Sequence, residues 1–220
     1  MQRTDNVNVN TKRYWEDVYS DPEKIEMCET ESIGADHPIV IGNKWVFPSN
    51  RLLFLASMVR EHEKIIDIGC GTGTIVRKVL EKYPFNEAWG VDISSNIVER
   101  NKEKIPGGIF FQQTIGNLDK VPENYFDIAF AGEVMEHLED PLLLFKDAWN
   151  VLKDGGKFVV TTPFKKSVTS NEHVWYFNQD DVSNFYIQTG FSNIEFFNLP
   201  NMEKFIIIVA SGEKHEKSSS

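Results

Sequence analysis

The chain predicts an α/β fold in which a mostly parallel sheet is flanked by helices. Short β-branched and aromatic runs alternate with segments of helical period along most of the 220 residues, the pattern of a parallel sheet with right-handed crossovers. One such run, Ile65-Ile-Asp-Ile68, feeds a loop carrying Gly69, Gly71 and Gly73, then an apolar-periodic segment through Ile75, Val76, Val79 and Leu80. Strand, glycine turn and helix in that order let backbone without Cβ atoms approach a ligand above the carboxyl edge of a sheet. The last two runs, Ile194 to Leu199 and Phe205 to Ala210, are joined only by Pro200 to Lys204. That link is too short for a crossover helix, so these two strands pair antiparallel.

The elements follow in order. Met1 to Asn10 is polar and expected to fray. Thr11 to Ser20 places Tyr14, Trp15, Val18 and Tyr19 at helical spacing, predicting a short amphipathic helix. Asp21 to Val46 is irregular, punctuated by Gly34, Pro38 and Gly42, and reads as a cap or lid. Pro48-Ser-Asn opens a helix through Arg51, Leu52, Leu55, Ala56 and Val59. After the glycine-loop helix, Ala88 to Ile93 forms a strand, and Ser94 or Ser95 caps a helix over Asn96 to Lys104. Pro106-Gly-Gly108 turns the chain into a strand at Ile109 to Gln112, and the next strand runs from Tyr125 to Ala131. A loop over Gly132 to Asp140 leads to a helix at Pro141, which shows Leu144, Phe145, Ala148, Val151 and Leu152 on one side and stops at Gly155-Gly156. A strand at Lys157 to Thr162, an insertion at Pro163 to Asp181, and a helix from about Asp180 to Thr189 ending at Gly190 complete the series. Glu213 to Ser220 is a charged, serine-ended tail expected to be disordered.

Composition bounds the function. With 41% hydrophobic and 25% charged residues, the chain reads as one globular domain. A net charge of −10 argues against long RNA or DNA held through phosphates and favours a small-molecule partner. Two cysteines, Cys28 and Cys70, make no disulfide framework and suit a reducing, cytoplasmic setting. No apolar run reaches the length of a membrane span, and the start lacks a signal-like apolar core. A monomer and a homodimer fit equally well.

Asp92 closes its apolar run about 20 residues past the glycines, where a carboxylate accepts hydrogen bonds from ribose hydroxyls. The glycine spacing is Gly-x-Gly-x-Gly, without the third interval of dinucleotide enzymes or a phosphate-binding Gly-Lys-Ser/Thr ending. Asp67, two residues before the first glycine, repels pyrophosphate and suits a ligand carrying positive charge.

Ile66-Asp-Ile-Gly-Cys-Gly-Thr-Gly73 resembles the first motif of class I S-adenosylmethionine-dependent methyltransferases. Ala131-Gly-Glu-Val-Met-Glu-His-Leu-Glu-Asp-Pro141 resembles the corresponding motif of ubiquinone-biosynthesis O-methyltransferases and their small-molecule relatives. The resemblance implies a Rossmann-like three-layer sandwich with seven strands in the order 3-2-1-4-5-7-6, strand 7 antiparallel. It divides the chain into a cap at 1–46, a methyltransferase domain at 47–212 with its substrate-side insertion at 163–181, and the tail. It implies S-adenosyl-L-methionine as cofactor, leaving as S-adenosyl-L-homocysteine. Asp67, Gly69, Cys70, Gly71, Gly73 and Ile93 would bind it, with Asp67 supporting the loop and the methionine end, Asp92 would hold its ribose, and Gly132 would add a backbone contact. Tyr14 would sit over it on the N-terminal helix. Arg51, in Pro48-Ser-Asn-Arg51, would grip the methionine carboxylate, or else be a solvated helix arginine. Relatives often place an acid near Thr114, Ile115 and Gly116 to meet the adenine amine; none stands there, which leaves that contact to backbone.

Glu133, Glu136 and His137 stand at i, i+3 and i+4, so one helical turn would bring them to one face. His173 follows in the insertion, beside Trp175, Tyr176 and Phe177. Glu133, Glu136, His137 and His173 could together ligate a divalent metal, a set that resembles that of small-RNA 2′-O-methyltransferases. The other readings make His137 a general base or substrate contact, or part of the core. The favoured assignment is catalytic His137, His173 and Glu136 with no metal, and transfer of a methyl to an oxygen, less readily a nitrogen, of a small molecule. A metal-assisted enzyme acting on an RNA end, and a non-catalytic cofactor-binding partner subunit, are the alternatives. A nicotinamide oxidoreductase is disfavoured by the glycine spacing and the final hairpin.

Overall fold

A strand flanked on both faces must be apolar on both faces, and Lys64–Ile68 meets that condition with Ile65, Ile66 and Ile68 all fully buried. It is the central strand of the computed structural model, which describes residues 1–6, 8–33, 39–41, 44–46, 51–164, 170–197 and 205–212. The elements are β1 (Gln2–Arg3), α1 (Lys12–Val18), α2 (Pro22–Ile33), β2 (Ile39–Ile41), β3 (Lys44–Val46), α3 (Arg51–Ser57), β4 (Lys64–Ile68), α4 (Thr74–Lys82) and β5 (Glu87–Asp92). After these come α5 (Ser95–Lys104), β6 (Ile109–Gln112), β7 (Phe126–Gly132), a 3₁₀ turn (Met135–His137), α6 (Leu142–Val151), β8 (Leu152–Pro163), β9 (Trp175–Tyr176), α7 (Gln179–Thr189), β10 (Ser192–Phe197) and β11 (Phe205–Ser211).

The main sheet has seven strands in the order β10-β11-β8-β7-β4-β5-β6. Counted along the chain from β4, that is 3-2-1-4-5-7-6, as the resemblance implied. β4, β5, β6, β7 and β8 pair in parallel, whereas β11 runs antiparallel to both β8 and β10. Alternate residues of the central strands feed two separate cores. Ile66, Ala129 and Val160 pack with Phe145 and Ala148 of α6 and Val182 and Tyr186 of α7. Ile65, Ile128 and Val159 face the other way, against Leu55 of α3, Ile75 and Val79 of α4 and Val98 of α5. The result is three layers, helix on sheet on helix. Tyr186 is fully buried, and its hydroxyl is shared between the carbonyls of Phe158 and Ile208, which satisfies its polar end inside the first core.

Several expectations need correction. Residues 1–6 do not fray: β1 pairs antiparallel with β9, and Thr4 donates to the His173 carbonyl at 2.7 Å. The segment read as irregular contains α2 and the β2–β3 hairpin. Asp21 starts α2, accepting from Glu23 N–H at 3.0 Å, with Pro22 in the first turn, where its missing N–H costs nothing. Helix α6 ends at Val151, and Leu152 already pairs with Phe126, so Gly155 and Gly156 lie inside β8. Gly155, at φ +70°, takes up the register shift between Phe126 and Ile128 that the strand needs there. Ser94 begins α5 without a side-chain cap; that duty falls to Glu16. The expectations for Pro48 to Asn50 and for the tail lie outside the described residues.

Candidate active site

The site lies over the carboxyl ends of β4, β5 and β7, where the strand order reverses on either side of β4. The glycine loop hangs from β5: Gly69 and Cys70 donate to the Val91 carbonyl at 2.8 and 3.0 Å, and Gly71 N–H donates to Asp92 Oδ2 at 2.9 Å. Gly69 sits at φ +77°, and a Cβ there would come within 2.6 Å of Val134 Cγ2, so both conformation and space demand glycine. Gly73, also left-handed at φ +73°, begins α4 and lines neither of the two cavities described below.

Two cavities meet beneath α1. The first, about 260 Å3, extends over Asp92, Ile93, Gln113, Ile115 and Leu118. The second, about 210 Å3, extends over Asp67, Cys70, Gly71, Gly132 and Cys28. Trp15, Tyr19, Gly69, Glu133 and His137 line both and so mark the junction. The side chain of Arg51 lies outside the described residues, and Tyr14 lines neither cavity. Its hydroxyl instead donates to Glu172 Oε1 at 2.5 Å, and Trp15 and Tyr19 of the same helix form the roof.

Helix α1 has no fully buried residue; Glu16 ties it down. Its carboxylate accepts from Ser95 N–H and Oγ at 2.8 and 2.7 Å, from Ser94 Oγ at 2.9 Å and from Asn96 N–H at 3.1 Å. Burial alone would raise this carboxyl. The four hydrogen bonds at the start of α5 outweigh it and hold the group down to about 2.

The two acids behind the loop are 3% and 8% exposed. Burial, and then the charge of Asp92, push Asp67 up to about 8. Asp92 is also raised by burial, against which the N–H groups of Ser94 and Gly71 pull it down. Paired buried carboxylates of this kind are stabilised by a cation or by hydroxyl donors, not by phosphate. Cys70 in the loop is buried, and desolvation followed by Asp92 and Asp67 pushes its thiol well above the usual range.

Beyond β7 the expected single helical face does not form. Glu133 precedes the 3₁₀ turn at φ +57° and accepts from Thr161 Oγ1 at 2.9 Å; it lines both cavities but is not among the residues whose ligand-type atoms converge. Glu136, His137 and His173 do converge: one ligand-type atom of each lies within 4.8 Å of the others. Only His137 of these three reaches the cavities. Glu136 is 1% exposed, with Oε2 accepting from Thr162 Oγ1 at 3.0 Å, and His173 is 6% exposed with its ring 5.2 Å from that of His137.

His137 has a defined tautomer. Its Nδ1 lies 3.2 Å from the Glu172 carbonyl, which can only accept, so the proton is on Nδ1 and Nε2 keeps its lone pair. Burial, then the neighbouring His173, push the ring down to about 4, so it is neutral near pH 7. The geometry offers a buried, oriented lone pair beside the junction of the two cavities, suited to accepting a proton or ligating an ion.

Sequence reasoning missed Asn8, Asn10, Gln113 and Glu139, all of which line the first cavity, and it missed the Glu16 clamp. The i, i+4 spacing of Trp15 and Tyr19, which stack with centroids 5.9 Å apart, was the one local signal that could have replaced Tyr14 as the roof.

Residues 46–195 match the family model described as a methyltransferase domain. The malonyl-[acyl-carrier protein] O-methyltransferase 1 of Ilyobacter polytropus is 30% identical over 106 residues, covering 47% of this chain and 39% of that protein. The chain spans less than half the length of the first curated relatives it matches. Phosphoethanolamine N-methyltransferase 2 of Haemonchus contortus, solved with S-adenosyl-L-methionine, superposes with a TM-score of 0.71 at 18% identity, covering 94% of this chain and 61% of that one. The cyclase SpnF reaches the same TM-score at 16% identity, with 96% and 99% coverage. These likenesses are of fold. With the family model covering strands β4 to β8, the glycine loop and the turn at His137, the chain belongs to the methyltransferase-domain family.

Proposed function

We propose that the protein binds S-adenosyl-L-methionine and directs its methyl group to a hydroxyl oxygen of a small molecule. The observation that carries this reading is the junction: His137 lines both cavities, at the boundary between the end walled by Asp67 and the end walled by Asp92. The cofactor supplies a methyl on a positively charged sulfur, already activated, so the protein's work is alignment and proton removal.

Asp92 has two backbone N–H donors, leaving carboxylate lone pairs for ribose hydroxyls. Asp67, behind the glycine loop, favours the positively charged methionine end. Ile93, Ile115 and Leu118 offer apolar surface for a base. Trp15 and Tyr19 close the cleft from above and keep water out. A hydroxyl must shed its proton as the new bond forms, and His137 Nε2 is the oriented acceptor for it. Glu136 Oε1 lies 4.0 Å from that same Nε2, and His173 packs edge-on against the ring. The same three residues could instead hold a divalent ion that acidifies the hydroxyl. We favour the base because His137 is the member of the three that reaches the cleft.

A net charge of −10 supports a small acceptor over long nucleic acid. No described helix is long and apolar enough to cross a membrane. Cys28 and Cys70 are not joined in a disulfide, which supports a reducing compartment.

The test is calorimetric titration with S-adenosylhomocysteine, run with and without chelator and after adding magnesium, manganese or zinc. Micromolar binding indifferent to metal supports the base reading, and binding that requires metal replaces it with the ion reading. No binding under any condition removes the methyltransferase assignment for this chain. With an acceptor in hand, His137→Asn should lower kcat by about a hundredfold or more and leave S-adenosylhomocysteine affinity unchanged.

A further inference from the structure

Residues 1–6 and 8–14 are fixed to the segment that carries His173, and that segment is fixed to the 3₁₀ turn that carries His137. Thr4 and Asn6 donate to the His173 carbonyl at 2.7 and 3.1 Å, and Thr4 N–H donates to the Val174 carbonyl at 2.9 Å. On the far side, Val174 N–H donates to the Glu136 carbonyl at 2.8 Å, and Trp175 Nε1 donates to the Leu138 carbonyl at 3.0 Å.

Glu172 is where the three layers meet. Its carbonyl accepts from Asn10 Nδ2 at 2.6 Å and from His137 Nδ1 at 3.2 Å, using both lone pairs. Its carboxylate accepts from Tyr14 Oη at 2.5 Å and, on the other oxygen, from Ser170 Oγ. Tyr14 thus anchors the residue whose carbonyl decides which nitrogen of His137 carries the proton. Tyr14 lines neither cavity; its hydroxyl meets the site through Glu172, and its ring packs on Trp15, which packs in turn on His137 at 5.5 Å, a contact that Tyr14→Phe leaves in place.

We infer that Tyr14 is a positioning residue: acting through Glu172, it holds His137 in the Nδ1–H tautomer, which keeps the lone pair on Nε2. The N-terminal segment is therefore part of the catalytic apparatus as well as a cover for the cleft. The inference deepens the proposed function and rests on His137 as the base, but its structural core is measurable without turnover.

The experiment compares the full chain with Tyr14→Phe, Glu172→Gln and the double variant. Imidazole 15N NMR reads the His137 tautomer, assigned by difference with His137→Asn, and titration with S-adenosylhomocysteine reads the cofactor site. Tyr14→Phe keeps the ring packed edge-on to Trp15, at 5.2 Å between centroids, and removes one hydroxyl. The expected result is a tautomer ratio moved about tenfold away from Nδ1–H, the worth of one hydrogen bond to a charged acceptor, at unchanged affinity. Glu172→Gln should act in the same direction without touching Tyr14, and the double variant should be no worse than the stronger single one.

An unchanged tautomer in folded Tyr14→Phe and Glu172→Gln proteins overturns the inference. So does an affinity loss without a tautomer change, since Tyr14 would then serve the cofactor site. If wild-type protein fails to bind S-adenosylhomocysteine, the functional reading falls, while a tautomer shift in the variants still upholds the linkage.

Discussion

Glu16→Gln tests whether α1 gates the cofactor cleft. The glutamate takes four hydrogen bonds from three successive residues at the start of α5. Glutamine keeps one acceptor oxygen and sets an amide NH2 against the rest. The Ser94 hydroxyl can rotate to accept from it, but the Asn96 N–H cannot. The loss is therefore about one hydrogen bond to a charged group, ~1.5–3 kcal/mol, plus ~0.3–1 kcal/mol for the anion at the helix start. Glu16 is partly exposed and water competes for these donors, so the lower part of that range, about 1.4 kcal/mol or tenfold, is the working figure.

If α1 must lift for ligand to pass, a tenfold shift toward the open form acts equally on entry and exit. Association and dissociation rates of S-adenosylhomocysteine should both rise about tenfold, and Kd should stay within about twofold. Trp15 lines both cavities and provides the stopped-flow fluorescence signal. Rates that match wild type, with only a lowered Tm, would refute the gate and leave Glu16 a purely structural cap.

Four further outcomes follow from the site. Glu16 holds a folded-state value of about 2 against an ordinary 4.5, a depressed carboxylate. Its stabilising contribution is complete above pH 4.5 and is lost as pH falls through about 2, so Glu16→Gln should flatten the acid limb of a stability–pH curve in that window. Asp92→Asn, which keeps the shape and loses the charge, should weaken S-adenosylhomocysteine by about tenfold to a hundredfold in calorimetry; unchanged affinity would contradict the ribose role. Gly69→Ala places a Cβ 2.6 Å from Val134 Cγ2 at a left-handed φ, costing ~1–2 kcal/mol in strain and driving Val134 into the first cavity, with more than tenfold weaker binding expected. Iodoacetamide at pH 8 should leave Cys70 unmodified in the native protein, since it is buried with its thiol pushed upward; peptide mass mapping reads the result.

The sheet was readable from sequence because its causes are local. Ile65, Ile66 and Ile68 announce a strand buried on both faces, and the five residues between the last two runs leave no room for a crossover. The glycine loop, Asp67 and Asp92 were readable for the same reason, since a left-handed loop and an acid at a strand end are features of neighbouring residues. Tyr14 was misassigned because helical spacing says which residues share a face but not what that face meets. The side of α1 that carries Trp15 and Tyr19 roofs the cleft, while the Tyr14 hydroxyl reaches a carboxylate 158 positions away. Glu133 was grouped wrongly with Glu136 and His137 because the turn is 3₁₀, and it follows a residue at positive φ. Helical periodicity does not hold across such a break.

The tethers that run from Arg3, Asn10 and Glu16 to the rest of the site are all long-range. Arg3 pairs with Glu139 at a separation of 136 residues, Glu16 caps Ser95 at 79 and Asn10 meets Glu172 at 162. Each is a polar contact on or near the surface, worth little alone, and no hydrophobic period marks it. The cofactor side, by contrast, is cut into strand ends whose positions are set by two buried cores. The two halves of the cleft therefore differ in how easily they change. Substitutions in residues 8–16 or 170–176 can reshape the roof of the cleft and the surroundings of His137 at a cost of about a kilocalorie each, and the sheet that presents Asp67 and Asp92 stays where it is. This division places the carboxylates proposed for the cofactor on the rigid half and leaves the orientation of His137 to the half held by removable bonds.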